Sequence, residues 1–451
     1  MKRQYFGTDG VRGRAGEPPV TAEFAERLGR AAARVLGAGT GGGAIAIGRD
    51  TRVSGPELEQ ALAAGIASAG GDARLLGVVP TPGVAALVKS GGLAAGAVIS
   101  ASHNPACDNG IKFFGGDGYK LADETELAIE LALDEEPAAA ARGTVTAEPG
   151  AHDHYVRHAL ASWPRGLSMG GLRIAVDCAN GAAFRSTPEA LRQLGADVAV
   201  FHAAPDGTNI NLGCGSTEPG EIARLVRETG AQVGLSHDGD ADRLLLCDET
   251  GDPLDGDELL AIAGLDLLRA GDLPNSTVVA TVMSNLGLDE AIENAGGRVV
   301  RTAVGDRYVL EAMKAGGHIL GGEQSGHMIF ARHGTTGDGL VSALQILRLM
   351  AATGRPLSEI RRVMSKYPQA QRGVMVRAKP PIEELPAVRQ AVAAAEEAVA
   401  PRGRVLVRYS GTEPKLRILL EGRDAAVLEE HADRIAEAVR ATIGQAPTQS
   451  R

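Results

Sequence analysis

Apolar positions along most of the chain switch between helical spacing and the short runs of buried strands. Residues 21–36 put Phe24, Leu28, Ala31 and Val35 on one helical face, with Thr21 as N-cap and Gly37 as a stop. Ala44 to Ile47 then reads as a strand. Ser54-Gly-Pro-Glu57 reads as a capping box opening a helix that carries Leu58, Leu62 and Ile66, and apolar runs at 74–79 and 94–99 follow. This alternation predicts a largely parallel sheet covered by helices. It recurs, because Leu172 to Asp177 and Thr277 to Thr281 each lead into a turn and a helix as Ala44 to Gly48 does. After Lys366-Tyr-Pro368 the order becomes a shorter β-α-β-β-α, in which Arg404 to Arg408 alternates. The expected fold class is α/β: three related mixed α/β domains around a central cleft plus a smaller C-terminal α+β domain. Boundaries are expected at 1–160, 161–253, 254–370 and 371–451.

Within each of the three units a late apolar run empties into a polar loop. Val98-Ile99 leads into Ser100 to Pro105, Val233 to Leu235 into Asp238 to Arg243, and Ile319-Leu320 into Gly322 to His327. Ligands of open α/β sheets gather beyond the carboxyl ends of strands, so these loops are where chemistry is expected.

Composition narrows the classes. Aromatics are 3% of 451 residues and 60 residues are Gly, so Ala, Val, Leu and Ile must fill the core. The charged residues sum to 46 − 56 = −10, which leaves no global positive field for a nucleic acid. No apolar stretch approaches the ~20 residues that span a bilayer, and the start MKRQYFGTDG has no signal-peptide core, so neither nucleic acid nor membrane is an expected partner and the cytoplasm is the expected location. Cys107, Cys178, Cys214 and Cys247 form no C-x-x-C pair, which argues against a zinc site or a disulfide framework.

Each loop suggests its own chemistry. Ser102 is read as an exposed, rigidly aimed hydroxyl just past a buried strand, and no Gly-x-Ser-x-Gly elbow surrounds it. The alternative is a turn whose Ser100, Ser102 and Asn104 side chains satisfy backbone groups. Asp238, Asp240 and Asp242 concentrate negative charge that favours a hard divalent cation over zinc. An EF-hand fails because Arg243 stands where its sharp turn needs Gly. Glu323, Ser325 and His327, set between glycines, offer hydrogen bonds suited to sugar hydroxyls or an amine. The segment Arg408 to Arg417 offers two guanidiniums and the hydroxyls of Ser410 and Thr412, a credible phosphate cradle in an acidic protein. No G-x-x-x-x-G-K-[ST] occurs. Together these pieces describe phosphoryl transfer that needs no nucleotide if the serine itself carries the group.

At this point the chain resembles the α-D-phosphohexomutase superfamily over nearly its whole length. The resemblance rests on Phe6 to Gly13, Ser100 to Pro105, Asn109 to Lys112, Asp238 to Arg243, Val304 to Asp306, Gly322 to His327 and Arg408 to Arg417 in that order. Phe6 to Gly13 and Gln324 tilt it toward members acting on glucosamine phosphates rather than glucose or mannose phosphates. The resemblance implies a phosphorylated Ser102, with one Mg²⁺ held by that phosphate and by Asp238, Asp240 and Asp242. It implies a sugar-phosphate substrate turned over through a 1,6-bisphosphate, with glucosamine or glucose 1,6-bisphosphate as activator. Arg243 would offset charge on the transferring group. Arg408, Ser410, Gly411, Thr412 and Arg417 would grip the phosphate that is not reacting, and Glu323, Ser325, His327, Gly305 and Asp306 would hold or read the sugar. Lys112 or His103 would transfer the proton, Lys112 as a base only if its pKa is lowered, and Arg12 would lie beside the phosphoserine. A homodimer is admitted, and the alternatives are a family member acting on glucose or mannose phosphates and, further off, a non-catalytic sugar-phosphate sensor.

Overall fold

The computed structural model describes residues 3–7, 9–37, 43–135, 142–410 and 413–445. Thr21 caps the helix Ala22–Val35 by accepting the Phe24 N–H at 3.2 Å. The buried face of that helix, with Phe24, Leu28 and Ala31, lies against the helix Gly55–Ser68. The two backbones approach so closely that a Cβ at Gly65 would sit 1.9 Å from the Glu26 carbonyl oxygen, and one at Gly29 2.2 Å from that of Leu62. Only glycine fits there. The capping box expected at Ser54 does not form: Ser54 has helical backbone angles, its hydroxyl caps nothing, and its Oγ instead accepts Asn109 Nδ2 at 2.8 Å.

The first sheet comprises β1 (Val11–Arg14), β2 (Ile45–Arg49), β3 (Ala73–Val78), β4 (Ala95–Ile99), β5 (Asp108–Gly115) and β6 (Val145–Ala147), in the spatial order β1-β5-β4-β2-β3-β6. The second comprises β7 (Arg173–Asp177), β8 (Asp197–Phe201), β9 (Val233–Ser236), β10 (Leu245–Asp248) and β11 (Pro253–Leu254), in the order β11-β10-β9-β7-β8. The third comprises β12 (Thr277–Thr281), β13 (Arg298–Thr302), β14 (Leu320–Gly322) and β15 (Met328–Phe330), in the order β13-β12-β14-β15.

One topology is used three times. In each sheet three parallel strands, β4-β2-β3, β9-β7-β8 and β14-β12-β13, are followed on one side by an antiparallel strand: β5, β10 or β15. The sheets are therefore mixed where a largely parallel sheet was the first expectation. The three chemical loops are the three equivalent hairpins, β4 to β5, β9 to β10 and β14 to β15. A hairpin returns the chain at once, so each loop stays short and is held at both ends.

By packing, the chain divides into two compact units, Met1–Ser284 with Ile292–Val363 and Asn285–Ala291 with Met364–Arg451. The first holds all three α/β sheets. The second is a three-stranded antiparallel sheet of β16 (Gln369–Met375), β17 (Arg404–Tyr409) and β18 (Lys415–Glu421), ordered β16-β18-β17, with the helices Pro386–Val399 and Ala425–Ile443. Its core is aliphatic: Val374, Leu416, Ile418, Leu420, Leu428, Ile435 and Val439 are all buried. Gly411 and Thr412 lie outside the described residues.

Candidate active site

Ser102 begins the site with an unusual backbone. Its φ is +51°, in the left-handed region that costs a non-glycine residue about 1–2 kcal/mol. Its Oγ donates to Asp238 Oδ2 at 2.5 Å and lies 3.3 Å from His103 Nδ1. The sequence reading of an exposed hydroxyl is corrected here: Ser102 is only 2% exposed, because the Asp238 loop and Asn211 of the second domain close over it. Its aim is nonetheless fixed.

The β9–β10 hairpin carries Asp238, Asp240 and Asp242, all buried, with one oxygen from each lying within 4.8 Å of the other two. Thr81 Oγ1 donates to Asp240 Oδ2 at 2.6 Å and Lys112 Nζ at 2.7 Å, while Lys112 is 3.7 Å from Asp242. Burial, then the Asp242 and Asp240 charges, push the Asp238 carboxyl up to about 7, against Arg243 and the Ser102 hydrogen bond. Asp242 goes the other way, since His327, Lys112 and Arg243 outweigh its burial. Asp240 Oδ1 and Asp242 Oδ1 are buried and have no hydrogen-bond partner among the described residues. Buried carboxylate oxygens left unpartnered beside a seryl oxygen form an all-oxygen donor set, which fits a hard divalent cation such as Mg²⁺. Arg243 Nε stands 4.0 Å from both Asp238 and Asp242.

Of the two proton-transfer candidates, the structure separates the roles. Burial alone would lower the Lys112 pKa, but Asp240, Asp9 and Asp242 overcome it and push the ammonium up, so the condition for its use as a base is not met. His103 is held neutral, lowered to about 4 by burial and then by Arg243 and Arg12. Arg12 pairs with Asp9 and stands opposite Gly110 in the β1–β5 register.

The β14–β15 hairpin brings the third group. Glu323 Oε1 accepts the Gly305 N–H at 3.1 Å, which puts two of the sugar-reading candidates side by side, and burial raises the Glu323 pKa. Ser325 is exposed on the same hairpin. His327 is buried, 3.5 Å from Asp242 and 3.6 Å from Asp306. Those carboxylates draw its pKa up to about 9 against burial, yet the Gly337 N–H points at Nε2 from 3.1 Å. An N–H cannot donate to a protonated nitrogen, so the contact favours the neutral ring with its proton on Nδ1, facing Asp242. Lys120 bridges Asp9 and Asp306.

In the second unit, Arg408 and Arg417 stand directly opposite each other in the β17–β18 pair. Like charges so placed repel, and Arg408 Nε is buried with no hydrogen-bond partner among the described residues; burial and then Arg417 lower the Arg408 pKa. Ser410 is buried, and its carbonyl accepts Lys379 Nζ at 2.6 Å. Arg417 pairs with Glu413 at 2.8 Å.

Sequence reading passed over Asp9, Asp50, Arg52, Thr81, Lys120 and Asn211. Only Arg49-Asp50-Thr51-Arg52 carried a signal, three charged residues in a run of four at the carboxyl end of a central strand. Thr81, Lys120 and Asn211 act across domain boundaries, and Asp9 meets Lys112 and Lys120 from far away in the chain, so none has a local signature.

A mixed α/β sheet repeated three times, followed by a small antiparallel domain, is the architecture of the phosphohexomutases. The chain belongs to the phosphoglucomutase/phosphomannomutase family: its alpha/beta/alpha domain I matches residues 3–140, domain II 153–251, domain III 255–367, and the C-terminal domain 371–438. It is thus an enzyme of the isomerase class. The chain is 51% identical over 451 residues to the phosphoglucosamine mutase of Syntrophotalea carbinolica, covering 98% of this chain and 99% of that one. It is 50% identical to the phosphoglucosamine mutase of Anaeromyxobacter dehalogenans, covering 98% and 100%. In fold it resembles a phosphoglucomutase/phosphomannomutase family protein of Burkholderia thailandensis, with a TM-score of 0.82 at 24% identity over 99% and 100% of the two chains. It also resembles the N-acetylphosphoglucosamine mutase of Aspergillus fumigatus, solved with GlcNAc-6P and magnesium, with a TM-score of 0.71 at 19% identity over 98% and 96%.

Proposed function

We propose that this chain interconverts glucosamine 6-phosphate and glucosamine 1-phosphate through a phosphorylated Ser102 and a glucosamine 1,6-bisphosphate. The observation that carries this reading is the Ser102 hydroxyl, buried against Asp238 and beside a neutral His103. In the first half-reaction the Ser102 Oγ–P bond breaks as a bond from P to the sugar O1 forms. His103 Nδ1 takes the O1 proton and passes it to the departing Oγ. In the second half the O6–P bond breaks, Oγ regains the phosphoryl group, and the seryl proton passes through His103 to O6. Atoms and protons balance over the cycle.

A Mg²⁺ held by Asp238, Asp240, Asp242 and the Ser102 phosphate supplies charge neutralisation when bound. Arg243 and the Lys112 ammonium add fixed positive charge beside the transferring group. Glu323, Ser325 and Asp306 hold sugar hydroxyls or the amine, with Gly305 and His327 shaping that pocket. The phosphate that is not reacting falls to Arg408, Ser410, Gly411, Thr412 and Arg417. Arg12 sits beside the phosphoserine. A glucosamine or glucose 1,6-bisphosphate restores the phosphoserine whenever the intermediate escapes. The proposed setting is the cytoplasm, and among the described residues no helix is long and apolar enough to cross a membrane. The four sequence-derived domains, divided near 160, 253 and 370, and a homodimer complete the proposal.

Comparing kcat/KM for the glucosamine, glucose and mannose phosphates tests the substrate, and a clear preference for an uncharged sugar overturns it. Ser102→Ala is expected to abolish turnover and to remove a single phosphoryl adduct from the intact mass. Full turnover without the hydroxyl removes the covalent route. Its loss should cost only about 1 kcal/mol of stability, one hydrogen bond to Asp238.

A further inference from the structure

Arg52 is completely buried, an expensive place for a guanidinium unless every donor is used. Every donor is used. Nε donates to Asp50 Oδ2 at 2.9 Å, Nη2 to the carbonyls of Ser102 at 3.0 Å and Asn104 at 2.8 Å, and Nη1 to that of Asp108 at 2.9 Å and to that of Pro105. Four of the five acceptors are thus backbone carbonyls of the β4–β5 hairpin or its edge. The same Asp50 carboxylate accepts the Ser100 hydroxyl at 2.6 Å, and Ser100 Oγ in turn accepts the Ser102 N–H at 2.9 Å. From the second domain Asn211 Nδ2 donates to the Ser102 carbonyl at 2.9 Å and to that of Asn104 at 3.1 Å. The neighbours of Arg52 also reach that domain: Thr51 Oγ1 donates to the Asn180 carbonyl at 2.5 Å and the Val53 N–H to that of Gly207 at 2.8 Å.

The peptide groups on both sides of Ser102 are therefore clamped, and the clamp uses none of the three carboxylates at the candidate cation site. An unclamped serine at φ +51° would relax toward an ordinary conformation and swing its Cβ–Oγ bond away from Asp238 and His103. We infer that Asp50, Arg52 and Asn211 are positioning residues that hold the Ser102 hydroxyl on the line of phosphoryl transfer, Asn211 doing so from across a domain boundary. The inference rests on the reading that Ser102 carries the phosphoryl group. It deepens that reading by tying the aim of the serine to how the first two domains meet.

The test compares Arg52→Lys and Asn211→Asp with the unaltered enzyme. Lysine keeps the charge but has three donors from one point, which cannot span the carbonyls Arg52 holds. Asn211→Asp keeps the shape and turns a donor into an acceptor facing two carbonyls. A misplacement of about 1 Å costs about a hundredfold in rate, so kcat is expected to fall by ~10–100-fold in both variants. KM for the sugar phosphate should stay within about twofold, because no sugar or distal-phosphate contact is touched. Phosphorylation of Ser102 by added glucose 1,6-bisphosphate, followed by intact mass, should slow by the same factor. Restoring the amide at residue 211 should restore the rate. Asn211 is only half-buried, so its variant decides the matter if Arg52→Lys fails to fold. Unchanged kcat and loading rate in Asn211→Asp, or a rise in KM with kcat intact, overturns the inference. If Ser102→Ala retains turnover, the underlying reading fails instead, and the two failures are separate measurements on separate variants.

Discussion

Two histidines of the first compact unit, His103 and His237, sit far below their ordinary pKa with burial as the first cause in both, and their consequences differ. His103 is lowered to about 4 by burial and by the positive charges of Arg243 and Arg12, so it stays an available base throughout the neutral range. The acid limb of kcat, read apart from the substrate phosphate's own ionisation at about pH 6, should accordingly fall well below pH 6.5, and a limb in kcat that the imidazole's ordinary value explains would remove His103 from the proton path. His237 is lowered to about 4 by burial alone. Its Nδ1 faces the Arg243 carbonyl at 3.0 Å and must carry the proton, which leaves Nε2 to accept Thr187 Oγ1 at 3.0 Å. With that tautomer the ring ties the carboxylate hairpin to the helix Ser186–Gln193. Between pH 6.5 and 4 the unfolded chain takes up a proton at this histidine that the native state refuses, so stability falls as pH falls through that window. The loss reaches roughly 3 kcal/mol at the acid end. Asp238, raised to about 7, works in the opposite sense over the same window, so the measure is the difference: from pH 7 to 4.5 denaturant unfolding should cost the wild type more stability than His237→Gln, which places an amide near Nε2 without the titration. An equal acid loss in both proteins would place the sensitivity elsewhere.

The hairpins are the elements that matter, and the second and third are locked to each other. Leu244 N–H donates to the Gly326 carbonyl at 3.0 Å, and Arg243 and His327 form an isolated bridge, so the carboxylates and the proposed sugar-reading group are set by one strip of backbone. Gly326 has φ +89°, and a Cβ there would stand 2.0 Å from the Leu244 carbonyl oxygen. Gly326→Ala should therefore cost about 1–2 kcal/mol from the backbone alone, displace Glu323 and His327, and raise KM for the sugar phosphate as well as lowering kcat. A variant with native Tm and kinetics would mean that the strip yields without consequence. How these hairpins arise also explains what could be read in advance. An apolar run ending in a cluster of Asp, or of Ser, His and Asn, is local information, and the three loops and the helix capped by Thr21 were legible from it. The return strands β5, β10 and β15 were not legible as antiparallel, because apolar spacing is indifferent to strand direction. Ser54 misled because a capping pattern says nothing of Asn109, which reaches the hydroxyl from 55 positions away. Asp9 and Lys120 escaped for the same reason, Asp9 meeting Lys112 and Lys120 more than a hundred positions along the chain and Lys120 reaching on to Asp306 in the third domain.

At the scale of the whole chain, a protein with ten excess negative charges keeps, among its described residues, two places where like charges outnumber the fixed opposite charges paired with them, three aspartates against Lys112 and Arg243 in one compact unit and two arginines against Glu413 in the other. In the first, Asp238, Asp240 and Asp242 leave two carboxylate oxygens unpartnered; in the second, Arg408 faces Arg417 with a buried Nε unsatisfied. Each arrangement raises the free energy of the folded unit until an ion of opposite sign binds, so each unit should be stabilised by a different ligand. A ligand at about 100 times its Kd adds about 2.7 kcal/mol to the state that binds it. Calorimetry should accordingly show Mg²⁺ raising the unfolding temperature of the α/β unit and inorganic phosphate raising that of the small antiparallel unit, each by a few degrees. Asp240→Asn should lose the Mg²⁺ response and keep the phosphate response, and Arg417→Ala should do the reverse. Chelation of the metal should leave the phosphate response intact. If phosphate stabilises the small unit in Arg417→Ala as strongly as in the wild type, the opposed guanidiniums are an ordinary feature of the β17–β18 pair, and the proposed distal phosphate must be held elsewhere.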